Sequence, residues 1–77
     1  MKIINVIEVV DGTILSVDSI VIPDDSQEKE RVAVAEKLFS DKAKENGASE
    51  NDMEDLIEDG NYVQGDYSVF LTWSDLK

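Results

Sequence analysis

Asp11-Gly12 stands between two runs of β-branched residues, KIINVIEVV (2–10) and TILSVDSIVI (13–22). No other feature of the chain leaves its folding so little choice. A two-residue type I′ turn needs positive φ at both central positions, which Asp tolerates and Gly accepts freely, and its twist matches that of the flanking strands. The pair predicts a hairpin over 2–22. Pro23 has no N–H for a ladder and ends the second strand.

Downstream the apolar period changes from two to between three and four. Asp25 with Glu28 three residues later is a capping pattern and predicts a helix over 26–46. Its stripe is Val32, Ala35, Leu38 and Phe39, with Val34 on the flank; Lys42 and Lys44 favour the negative end of the dipole, and Asn46-Gly47 supplies a left-handed stop. Ser49 and Asp52 repeat the capping pattern for a short helix over 50–59, whose stripe is Met53, Leu56 and Ile57 and whose stop is Gly60.

The segment 66–74 alternates. Tyr67, Val69, Leu71 and Trp73 fall on one side, and Ser68, Phe70, Thr72 and Ser74 on the other, so it reads as a half-buried strand. Tyr67 and Trp73 are expected in the core against Phe39 and Leu38. The order β-β-α-α-β then predicts a single α+β domain over 1–77. It has a three-stranded antiparallel sheet, its last strand beside its first, and two helices packed on one face. No linker, repeat or low-complexity segment interrupts it.

A two-residue turn at Asp11-Gly12 makes paired residue numbers sum to 23. One face then holds Met1, Ile3, Ile7, Val9, Ile14, Ile20 and Ile22, diluted by Asn5, Ser16 and Asp18. The other holds Ile4, Val6, Val10, Leu15, Val17 and Val21, diluted by Lys2, Glu8, Thr13 and Ser19. A sheet covered on one side should show one polar face, yet both are apolar. Either a bulge reassigns residues, or the second face is an interface built on Ile4, Val6, Leu15, Val17 and Phe70.

The formal charge is −11, and its distribution is uneven. Five of the seven basic residues lie between Lys29 and Lys44, whereas Glu45 to Leu76 contains nine acids and no Lys or Arg. Such a surface repels nucleic acid and anionic membrane and attracts cationic partners. With neither Cys nor His in the chain, disulfides and zinc sites built from those ligands are excluded. The N-terminal MKIINVIEVVDG is broken by Asn5, Glu8 and Asp11, which does not match a secretory signal, and the expected location is the cytoplasm.

The stretch SENDMEDLIEDG concentrates the acids. As a calcium loop starting at Asp55 it fails at position 3, where Ile57 cannot ligate. Catalysis by paired carboxylates needs environments that split their pKa values, and acids on a wet helix face lack them. No metal site, no cofactor and no enzymatic activity are therefore expected. Two readings remain: a solvated face whose acids favour the helix N-terminus and keep a small domain soluble, and a docking face. Glu50, Glu54 and Glu58 form one row at helical spacing; Asp52, Asp55 and Asp59 form a second, and Glu45, Asp66 and Asp75 extend the field. A basic groove that binds nucleic acid could accept two such rows. In size and charge the chain resembles the short, acidic, cysteine-free proteins of phages and mobile elements, some of which inhibit restriction or CRISPR machinery as DNA mimics. That resemblance implies an inhibitor whose partner is the basic surface of a nucleic-acid-binding protein. The alternative is a small assembly protein acting as a homodimer through the apolar sheet face.

Overall fold

A computed structural model describes residues 1–75. Strand β1 (Lys2–Val10) turns at Asp11-Gly12 into β2 (Thr13–Ile22), with φ of 52° and 77° at the two turn residues. These are the signs a type I′ turn requires. Helix α1 (Glu28–Glu45) follows a 3-10 turn at Asp25–Gln27, and helix α2 (Met53–Asp59) follows another at Glu50–Asp52. Strands β3 (Asn61–Gln64) and β4 (Tyr67–Asp75) complete an antiparallel sheet in the order β2-β1-β4-β3. The architecture is α+β as expected, and the last strand does lie beside the first. The sheet, however, has four strands and not three, because Asn61–Gln64 pairs with Tyr67–Phe70 through the turn at Gly65-Asp66.

Both helices are shorter than their capping signals suggested, since each begins as a 3-10 turn. Asp24, one residue before the expected cap, accepts hydrogen bonds from the Ser26 amide and hydroxyl. The Ser49 hydroxyl accepts from the Asn51 amide at 3.2 Å. Gly60 ends α2 with φ 75° and donates to the Leu56 carbonyl at 2.8 Å. Its own carbonyl accepts from the Leu71 amide at 2.8 Å, so helix stop and sheet entry share one residue. A Cβ here would lie 3.0 Å from the Leu71 carbonyl oxygen, a backbone atom that cannot yield. Gly60→Ala is expected to cost about 1–2 kcal/mol through strain at positive φ, read as a fall in Tm of roughly 5–15 °C.

The core lies between the helices and one face of the sheet. Ile4, Val6, Ile22 and Val69 meet Ala35, Phe39 and Ala43 of α1 and Met53 of α2. Phe39 stands between two alanines four residues away on either side, so α1 drops close to the strands and drives one large ring into them. Trp73 takes no part in this: it is on the helix side, paired with Ile4, but 50% exposed. The reason is the shortness of β3, which begins opposite Phe70 and leaves the second half of β4 without that neighbour. The indole instead has the Lys2 ammonium 6.0 Å from its ring centroid. Tyr67 does pack against the core.

The hairpin register differs from the uniform one. Paired numbers sum to 23 at Val10–Thr13 and Val9–Ile14, and to 24 from Glu8–Ser16 to Lys2–Ile22. Leu15 is the extra residue of a bulge, and beyond it every β2 side chain changes sides. Ile20 and Ile22 thereby join Ile4 and Val6 under the helices. The face turned away from the helices carries Ile3, Asn5, Ile7 and Val9 of β1, and Ile14, Val17, Ser19 and Val21 of β2. It continues with Asn61 and Val63 of β3 and Ser68, Phe70, Thr72 and Ser74 of β4. The Cα framework measures 37 × 28 × 16 Å, a slab one sheet and one helix layer thick. No helix among the described residues is long and apolar enough to cross a membrane.

Candidate functional site

The local sequence turns the carboxylates of 50–59 outward. Met53 is buried and Leu56 and Ile57 pack against the core, so the remaining positions of this short segment face water. Glu50 and Asp52 on the 3-10 turn and Glu54, Asp55, Glu58 and Asp59 on α2 are all exposed. The two expected rows hold only in part. Within α2, Glu54–Glu58 and Asp55–Asp59 keep the four-residue spacing, whereas Glu50 and Asp52 follow the steeper 3-10 path. Glu50 also has a cation, the Lys44 ammonium at 3.3 Å. Asp66 is not on this ridge. It occupies the β3–β4 turn, where its carbonyl accepts from the Asp11 amide at 3.0 Å. That bond ties together the two turns at one end of the sheet.

Where α2 meets β3, the ridge borders an open cleft of about 390 Å³ lined by Asp52, Asp55, Leu56, Tyr62 and Gln64. The Tyr62 hydroxyl donates to the Asn46 carbonyl at 3.1 Å, which fixes the ring as one wall. Two carboxylates beside a ring and an amide suit a long cationic side chain, whose stem packs while its head pairs. Among the described residues no three carboxylates converge closely enough to hold a metal ion.

Ile4 and Val6, expected on an apolar interface, are instead 1% and 0% exposed in the core. The bulge is the cause: it brings Ile20 and Ile22 to their side and makes that side the one the helices cover. Leu15 and Val17 are exposed, and Phe70 lies half-buried on the uncovered face.

A polar centre between sheet and helix has no counterpart in the sequence expectations. Glu8, 9% exposed, accepts from the Lys42 ammonium at 2.7 Å, the Ser16 hydroxyl at 2.7 Å and the Tyr67 hydroxyl at 2.6 Å. Asp18 lies 3.4 Å from the same ammonium. Burial pushes the Glu8 carboxyl up, but the bonds from Lys42, Ser16 and Tyr67 outweigh it and hold its pKa at about 2. The bond to Glu8 raises Lys42, and burial with the Glu8 bond raises Tyr67. Every group is satisfied by a neighbour, so the cluster docks α1 on the sheet. A signal for it existed: Lys42 falls three residues after Phe39, on the stripe that faces the strands, and Glu8 interrupts an Ile/Val run. In comparisons with protein families, curated proteins and solved structures, nothing matches this chain.

Proposed function

We propose that the chain is a non-enzymatic docking module whose acidic α2 ridge occupies a basic surface of another protein. The best-fitting partner class is a protein whose cationic groove binds nucleic acid, as in DNA-processing or defence machinery. One observation carries the reading: six carboxylates within ten residues are all exposed, and Lys44 on Glu50 is the single ion pair made to them among the described residues. Solubility alone is served by interspersed charges of both signs, and this ridge is of one sign. On α2, carboxylates four residues apart rise about 6 Å, the scale of two phosphate steps of ~3.4 Å along a DNA strand. The adjoining cleft offers a seat for one Arg or Lys of the partner.

The test is a triple substitution, Glu50→Gln, Glu54→Gln and Glu58→Gln. These side chains are exposed and Gln is a good helix former, so the circular dichroism spectrum should not change. A partner captured with the wild-type protein should release steeply as salt rises, should be displaced by duplex DNA, and should bind the variant at least about tenfold more weakly. A partner that binds the variant as tightly as wild type, with no salt slope, would leave the ridge as a solvated surface only.

A further inference from the structure

Among the described residues, the sheet face turned away from the helices holds no Asp, Glu, Lys or Arg, in a chain whose residues are 32% charged. We propose that this face docks a second copy of the chain, sheet against sheet, as a symmetric dimer. Ile7, Val9, Ile14, Val17, Val63 and Phe70 form adjoining positions on it across all four strands. Ile14, Val17 and Val63 are 63%, 51% and 59% exposed, far more open than one-sided alternation leaves a finished surface.

Charge selects the occupant. A charged partner surface would lose its hydration against this face and find no counter-charge, whereas the same face on a second copy is uncharged and equally apolar. The bulge at Leu15 is what clears it. In an unbroken register Asp18 would stand opposite Asn5 on this side; the bulge turns it to the helix side, 3.4 Å from Lys42. The polar residues that remain are small, and the Ser19 hydroxyl already donates to the Asn5 side chain at 2.7 Å. The ridge of each copy lies beyond its own sheet. Sheets packed about 10 Å apart therefore hold the two ridges further apart than the Debye length of ~8–10 Å.

The area is sufficient. Three strands of nine or ten residues and one of four, at ~4.8 Å by ~3.3 Å per residue, present roughly 500 Å² per copy. A pair buries roughly 1,000 Å² in projection, the lower bound for a specific interface. This inference is independent of the acidic ridge, and salt separates the two: ridge docking weakens as salt rises, while the dimer holds or tightens.

Sedimentation equilibrium of the full chain tests it. Wild type is expected to dimerise in the micromolar range, and Val17→Asp and Val63→Asp are each expected to weaken the dimer at least about tenfold. Val17→Lys and Val63→Lys, which lower the net negative charge, should act alike. Val34→Asp, on the outer side of α1 at 50% exposure, should have no effect. The three side chains being replaced are exposed in the monomer, and circular dichroism checks the fold of each of the five variants. A chain still monomeric at about 1 mM, or a dimer indifferent to both sheet positions, overturns the proposal. So does a dimer broken at Val17 but not at Val63, which would assign association to the free edge of β2.

Discussion

Phe39→Ala is expected to remove about 3–5 kcal/mol, most of what a domain of this size has. The ring is fully buried between α1 and the strands and is the largest side chain with no exposure. Its flanking residues, Ala35 and Ala43, are too small to close over the cavity. Urea melts should show the midpoint falling toward zero denaturant, with a native baseline too short to fit. Trp73→Ala is the informative contrast. Although tryptophan is the largest residue in the chain, Trp73 is half-exposed at the sheet edge, and its loss should cost about 1 kcal/mol. If instead Trp73→Ala unfolds the domain and Phe39→Ala does not, the packing of β4 against α1 described above is wrong.

That contrast marks where local pattern stops informing. Asp11-Gly12, Gly47 and Gly60 act within one turn of themselves, and each sits at positive φ as its neighbours demand. The alternation of β4 likewise puts Val69 inward and Ser68 outward, with no knowledge of the rest of the chain. Trp73 also has the inward parity, but burial depends on what lies alongside, and β3 is four residues long. Four residues cannot establish a period. The signal for β3 was the Gly65-Asp66 pair between Tyr62-Val63 and Tyr67, a two-residue hairpin turn with positive φ at its glycine alone, unlike the first. The bulge at Leu15 left no comparable mark. It depends on which of two apolar faces the helices cover, a choice made by tertiary packing, and a one-residue slip then exchanged Ile20 and Ile22 for Val17 and Val21.

The acidic ridge was legible as composition and less so as geometry. Exposure of Glu54, Asp55, Glu58 and Asp59 follows from the stripe Met53, Leu56 and Ile57. The 3-10 start that shifts Glu50 and Asp52, and the remoteness of Asp66, do not follow from any spacing. The same bulge that spoiled the register gathers Glu8, Ser16 and Asp18 on the helix side. It therefore builds the polar centre and strips charge from the opposite face in one step.

That centre gives the second large effect, which is read by acid titration. Glu8 has an ordinary pKa of 4.5 and a folded value of about 2. A carboxyl depressed in the folded state contributes stability above its unfolded pKa and loses it as pH falls through the folded one. The contribution is thus whole above about pH 4.5, declines from there toward pH 2, and is absent below. Its size is roughly 2–3 kcal/mol, because the carboxylate is nearly enclosed and little screened. The quantity to follow is the stability of wild type minus that of Glu8→Gln. Gln keeps the shape and an acceptor for Tyr67 but leaves Lys42 with only Asp18. At pH 7 the variant should be less stable by roughly 2–3 kcal/mol, and the gap should close as pH falls from 5 to 2. A gap that stays constant over this range would mean that Glu8 holds α1 by shape alone, and that its charge contributes nothing to the docking of helix on sheet.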